Sequence, residues 1–405
     1  MNILQGIKVV DVTAWAFVPA AGGVLAHWGA DVVKVESTVA PDPMRLLGGT
    51  LEPGGASYFF KHYSRGKRSI ALDLSSEDGR EVIYKLAAEA DVFLTSYLPA
   101  TRKKLRIDLD DIRAINPQII YARGSGQGPQ GPESERPGYD GITWWCRGSL
   151  AQSTMDVSGA TWPTGMVGHG DGMSGMTLAG GICAALFHRE RTGETQVVDA
   201  SLLGTAVWFN GPAVIQAQMA DQPERSFAAA SPPAAHGLTP PAMNTYQTKD
   251  HRFLNLLFLG DADADWKDLC AHLDRPDMAT DTRWATSGAR AQHGQEAVAI
   301  FDEIFATKTL DEWKQALVSA RGAWSPVQTP RELYDDPQTL ANGFLRTVEY
   351  PTGPLKIPVP PVLFNEQAGD PPPAPDYGAH TNDVLRELGY EEQRITQLHA
   401  QGTVR

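Results

Sequence analysis

The chain has 405 residues, 42% of them hydrophobic and 20% charged, with a net charge of −13; that length suits two domains better than one core, and the acidic balance argues against nucleic acid as a partner. No apolar run is long enough to span a bilayer, and the opening MNILQGIKVVDV has no signal-peptide order. The three cysteines are too far apart for a disulfide ladder or a metal spacing, so a reduced, cytoplasmic protein without metal or membrane contact is expected.

Ile7–Val12 reads as a buried parallel strand. A helix with Pro19 in its first turn follows and ends near Gly29, and Ala30–Glu36 is a second strand. Strand, helix, strand at this spacing is a βαβ unit, which predicts a parallel sheet with right-handed crossovers. The glycine fingerprint of a nicotinamide site, G-x-G-x-x-G directly after the first strand, is absent from DVTAWAFVPAAGG. A dehydrogenase is therefore disfavoured. The pattern continues with SIALDLSS (Ser69–Ser76), the helix EDGREVIYKLAAEA, the strand Asp91–Tyr97, a short helix over Asp108–Ile115 and the strand IIYARGSG. A loop spans Gly126–Gly138, and GYDGITWWCRGSL opens the next ordered piece.

Met173–Phe187 reads as a buried helix opened by Asp171, which lies among Gly168, Gly170, Gly172 and Gly175. Asp171 has two readings here. A carboxylate at a helix start caps the free amides of the first turn. The same carboxylate, with side chains stripped away around it, is also available as a nucleophile. His169, two residues earlier, reads as a loop histidine or a stray base.

Val197–Leu203 and a helix to about Met219 precede a proline- and alanine-rich linker over Asp221–Ala242. Then come a hairpin turning at Lys249–Asp250, helices near Asp263–His272, Gln292–Ala306 and Leu310–Arg321, and a second proline-containing link at Ser325–Pro330. Val348–Phe364 reads as an irregular extended wrap, and the tail as two amphipathic helices broken at Gly389. The expected division is a large α/β domain at 1–225, a small α+β domain at 226–330, and a return to the large domain at 331–405. Two basic clusters, Lys61/Arg65/Lys67/Arg68 and Arg102/Lys103/Lys104/Arg106, suit a small polyanion or are solvated surface.

Several segments in order resemble the class III CoA-transferases of the CaiB/BaiF type. This family includes formyl-CoA, carnitine and bile-acid CoA-transferases and the α-methylacyl-CoA racemases. The segments are LQGIKVVDVT with LAHWGADVVKVE, RGKRSIALDL, INPQIIYARGSGQGPQGP, RPGYD, GDGMSGMTLAGGICAALFHRERTGETQVVDASL and HTNDVLRELGYEEQRI. The resemblance implies a Rossmann-like parallel-sheet CoA-binding domain built from both chain ends, a smaller α+β domain between them, and two chains interlocked as a homodimer.

It also implies a reaction. Acyl-CoA and a carboxylic acid would be the substrates, with no tightly bound cofactor. Asp171 matches the family's catalytic aspartate, which passes CoA through a mixed anhydride and an aspartyl-CoA thioester. Flanking glycine amides would hold the oxyanion and keep the Asp171 pKa low. Leu72, Leu74 and Ser75 match a backbone segment that borders the nucleotide. Ser96 and Tyr97 match a pair beside the adenine, and Lys104 matches a phosphate-binding arginine, with a less directional cation. Arg136, Tyr139 and Asp140 match a loop with CoA and active-site contacts.

Two departures bear on substrate and reaction. Racemases carry a His where this chain has Tyr139, and Tyr is a poor base near neutral pH, so transfer is favoured over racemisation; a CoA-binding protein without turnover is the reading from another class. The lid, glycine-rich in formyl-CoA transferases, has the single Gly237 here, which makes oxalate doubtful as acceptor. Trp144, Trp145, Trp162 and Trp208 suggest either a roomy acyl site or ordinary core.

Overall fold

A computed structural model describes residues 2–49, 55–154, 168–221, 240–351 and 353–405. Trp162 and the lid segment through Gly237 lie outside them. The chain divides into two compact units, residues 1–215 with 337–405, and residues 216–336.

In the first unit, β1 (Lys8–Val12), α1 (Phe17–His27), β2 (Asp31–Glu36), α2 (Tyr58–Tyr63), β3 (Arg68–Ala71), α3 (Glu77–Glu89) and β4 (Val92–Thr95) alternate. Then follow α4 (Pro99–Leu105), α5 (Leu109–Ile115), β5 (Ile120–Ser125), a π-helical stretch Asp140–Arg147, α6 (Leu150–Thr154), α7 (His169–Thr192), β6 (Val197–Ser201), α8 (Leu202–Phe209) and the start of α9 (Gly211–Asp221). The six strands form one parallel sheet in the order β3-β2-β1-β4-β5-β6. The central strands are largely apolar on both faces because both are covered, with Asp11, Lys34 and Glu36 buried among them. One face packs on α1, α7 and the indoles of Trp144 and Trp145. The other packs on α3 and α5, through Ile83 and Ile112. The chain's end joins that second layer through Leu385 and Leu398.

α1 ends where expected, because Gly29 takes a φ of +104° that other residues resist. The N-termini of α3 and α8 are capped by Ser76 and Ser201, whose hydroxyls accept from Gly79 and Gly204 N–H.

The second unit contains a three-stranded antiparallel sheet of β7 (Thr245–Gln247), β8 (Phe253–Leu257) and β9 (Ala323–Pro326), with α10 (Ala262–His272), α11 (Ser287–Phe305) and α12 (Leu310–Ala316). Tyr246 stacks on Phe305 at 4.7 Å and Trp266 on Phe301 at 5.4 Å, in a core where the Trp266, Trp284 and Trp313 N–H groups each donate to a backbone carbonyl. The link expected at Ser325–Pro330 begins as β9: Pro326 ends the strand and has no ladder N–H to lose.

The chain returns to the first unit with α13 (Pro337–Ala341), β10 (Leu345–Val348), β11 (Leu355–Pro358), α14 (Thr381–Glu387) and α15 (Glu392–Ala400). β10 and β11 pair antiparallel, so the first part of the expected irregular wrap is a hairpin. Its prolines cluster after Leu355–Ile357, which leaves the paired residues free to donate. Gly389, at φ +80°, separates the two closing helices.

Three members of the first basic cluster make specific contacts within the protein instead of lying as solvated surface. Lys67 is buried against Asp11 at 2.8 Å, Arg65 donates to the Pro358 carbonyl, and Arg68 bridges Asp31 and Glu387. Lys34 likewise reaches Asp42 at 2.8 Å, and Arg45 reaches Glu36. These buried pairs tie the loops after β1 and β2 to the strand ends. Losing one partner would strand a buried charge, which is how such pairs hold a geometry. Among the described residues no helix is long and apolar enough to cross a membrane.

Candidate active site

In an open parallel sheet, ligands bind at the carboxyl ends of the strands where the strand order reverses. Here that point lies between β1 and β4, and a cleft of about 530 Å³ opens there. The β1–α1 loop supplies Ala14 to Val18, the β4–α4 loop Ser96, Tyr97 and Leu98, and the end of β5 Gly124 to Gly126. Asp140, Tyr139 and Asp171 close its far wall. The topology alone thus positions the site, without the nicotinamide fingerprint.

Asp171 is the third residue of α7. Gly168 precedes that helix at φ +84°, a conformation that glycine adopts freely. The capping role open to Asp171 belongs instead to Asp140. The buried Asp140 carboxylate accepts from Gly168 N–H and from Asp171 N–H, both at 3.1 Å. The Gly172 N–H donates to the Gly168 carbonyl. Two of the glycine amides expected to form an oxyanion hole, those of Gly168 and Gly172, are therefore engaged within the protein. The Asp171 side chain has no hydrogen-bond or ion-pair partner among the described residues.

Its acidity also departs from expectation. Burial, and then the charge of Asp140, push the Asp171 carboxyl up to about 7, where a low value had been expected. The amides that would have lowered it are bonded to Asp140.

The glycines around Asp171 admit the protein's own groups. A Cβ on Gly170 would lie 2.2 Å from the Trp144 ring, and one on Gly175 would lie 2.6 Å from Ala20 Cβ of α1. Trp144 and Trp145 are accordingly core, and Trp208 is exposed on α8 away from the cleft. His169 lines a second cleft of about 500 Å³ with Tyr63, Gly172 and Met173, and not the cleft that Asp171 lines.

Of the residues read from the sequence, Ser96, Tyr97, Tyr139, Asp140 and Asp171 are brought together around the cleft. The Ser96 hydroxyl accepts from Ala14 N–H at 2.9 Å and pins the β1–α1 loop. Lys104 is exposed near the end of α4, whose Thr101 lines the cleft. Lys103 and Arg106 beside it are also exposed, whereas Arg102 is buried on Asp108 and the Tyr97 carbonyl. Leu72 and Leu74 point into the core, and Ser75 is bonded to Asp73; none of the three lines the cleft. Arg136 is exposed and paired with Glu133 at 2.7 Å.

The sequence reading missed Trp15 and the apolar wall of Met44, Leu47 and Phe59. The available signal for Trp15 was its place just after the first strand of a parallel sheet, where site residues gather.

The CoA-transferase family III model matches residues 4–381. The chain is 31% identical to the (R)-2-hydroxy-4-methylpentanoate CoA-transferase of Clostridioides difficile, over the whole of both chains. It is 30% identical to the cinnamoyl-CoA:phenyllactate CoA-transferase of Clostridium sporogenes, over 98% of this chain and 96% of that one. The crystal structure of a CAIB/BAIF family protein from Brucella suis superposes with a TM-score of 0.81 at 27% identity, covering 96% of this chain and 99% of that one.

Proposed function

The chain belongs to CoA-transferase family III, and on that premise we propose that it moves coenzyme A from an acyl-CoA to a second carboxylic acid with Asp171 as the nucleophile. The supporting observation is a carboxylate at the cleft wall with no bonding partner of its own, because Asp140 caps the helix in its place. An Asp171 oxygen attacks the thioester carbonyl carbon, the C–S bond breaks and the CoA thiolate departs, which leaves a mixed anhydride. The thiolate attacks the aspartyl carbonyl and releases the donor acid. The acceptor carboxylate then attacks the aspartyl thioester, and the returning thiolate collects the new acyl group and frees Asp171. Ser96, Tyr97 and Tyr139 border the cleft, and Lys104 is exposed near the end of α4, whose Thr101 lines it. We propose in addition that two chains pair in the working enzyme.

Intact-protein mass spectrometry with a panel of acyl-CoAs and a hydroxylamine quench tests the reaction. A hydroxamate mapped to the peptide bearing Asp171 is the expected result, and it also identifies the donor. A second reading has one observation in its favour: a carboxyl titrating near 7 beside another carboxylate also suits proton transfer at the acyl α-carbon. Deuterium entering the substrate from solvent, with no adduct on Asp171, would decide for that racemase reading.

A further inference from the structure

We infer that Trp15 and Tyr139 form the specificity-determining wall of the cleft, and that the acyl groups it accepts are apolar monocarboxylic ones. The inference rests on the CoA-transfer reading of the same site.

Trp15 has a φ of +71°, a left-handed conformation that is costly for a residue with a Cβ. Such a backbone persists only where its surroundings impose it. Here the Asp42 carboxylate accepts the Trp15 N–H at 3.1 Å, and Asp42 is itself fixed by the buried Lys34. The neighbouring Ala14 amide is held by Ser96. Burying the indole would be the usual return for such a conformation, yet Trp15 remains 41% exposed. It lines the cleft and meets the Tyr139 ring edge-on, with centroids 5.4 Å apart and planes at 80°. Tyr139 is itself 47% exposed. Packed edge-to-face, the two half-open rings form one continuous apolar wall of the cleft, against which an apolar acyl group can lie.

The rest of the wall agrees. Phe17, Val18, Met44, Leu47 and Phe59 are apolar, and no Lys, Arg or His is among the described residues that line the cleft. Among the described lining residues the charged ones are Asp140 and Asp171. A dicarboxylic acyl chain would bring a further anion next to two aspartates, with no cation among the described lining residues to receive it.

The test is calorimetric binding to the full chain of 3-phenylpropanoyl-CoA, succinyl-CoA and free CoA, for wild type, Trp15→Gly and Tyr139→Ala. Glycine adopts the Trp15 backbone without strain, so Trp15→Gly keeps the loop while deleting the ring. Wild type is expected to bind the phenyl thioester at least about tenfold tighter than the succinyl one. Each variant is expected to lose most of that ratio, which compares two thioesters so that any common change in affinity for the CoA moiety, read from free CoA, cancels. Equal or reversed affinities in wild type, or a ratio untouched in both variants, would overturn the inference. Each ratio is repeated in an Asp171→Asn background, where no adduct can form, so an absent Asp171 adduct would count against the transfer reading and leave this result standing.

Discussion

At the scale of single residues, the two aspartates divide one task that the sequence assigned to either reading of Asp171. Asp140 binds the helix amides and Asp171 is left unbonded beside it. The consequence is a pH dependence. The nucleophile acts as a carboxylate, so kcat/KM should fall about tenfold per pH unit below an inflection near 7. Asp140→Asn removes the neighbouring charge but not the burial, so the inflection should move to lower pH without reaching the ordinary carboxylate range; an unmoved limb would separate the two residues electrostatically. The stability linkage has the opposite sense. A carboxyl whose folded pKa is raised favours the folded state most when protonated, below its unfolded value, and loses that contribution as pH rises through about 7. Asp171→Asn should therefore melt above wild type at pH 8, and the gap should close steadily as pH falls from 7 toward 5. The glycines around Asp171 drew attention to it in the sequence. Its raised pKa was not legible there, because it depends on burial and on Asp140, which approaches only through the fold. Trp15 was missed for a related reason: a left-handed backbone at a tryptophan leaves no trace in composition or periodicity.

At the scale of elements, α7 carries the site and α1 supports it, and their spacing is set by glycine. Gly175 lies so close to α1 that an added Cβ would be 2.6 Å from Ala20 Cβ and 2.8 Å from the Phe17 carbonyl oxygen. Neither atom can swing aside as the end of a long side chain can. Gly180, on the same helix, has nothing within 4 Å of the equivalent position. Helix propensity favours alanine over glycine by about 1 kcal/mol at both positions, and overpacking costs about 1–3 kcal/mol where a core cannot give. Gly175→Ala should thus lower the denaturation midpoint and reduce activity by displacing Asp171, whereas Gly180→Ala should raise the midpoint; urea titrations of the pair check both signs. The alternation of β1 to β5 with their helices was legible because parallel strands are continuous apolar runs and their helices carry clear stops, such as Gly29 and Asn116–Pro117. The β10–β11 hairpin and β9 were not. Prolines crowd their sequence, and pairing survives because the ring nitrogens fall at strand ends. Likewise Lys67 and Arg65 look like a solvated cluster until the fold delivers Asp11 and the Pro358 carbonyl to them.

At the scale of the whole molecule, the large unit displays more apolar surface than a solitary chain of this composition would be expected to keep. Phe187 on α7, Val207, Trp208 and Phe209 on α8, and Ile215 on α9 are all exposed, Trp208 at 81%. Three of them are consecutive, so they cannot all belong to one buried stripe of a helix that packs on a single neighbour. An extended apolar face of this kind is a mark of association, and α8 follows directly from β6, at the edge of the sheet that carries the site. If two chains meet here, mass from light scattering should be twice that of one chain at micromolar concentration. Trp208→Glu with Ile215→Glu should then shift the mass toward one chain, since a charge buried in an apolar contact costs several kcal/mol. Neither residue lines the cleft, so CoA binding by the dissociated variant separates an effect on pairing from damage to the site. A single-chain mass for the wild type at all concentrations would leave this face to some other partner and remove the basis for the proposed pairing.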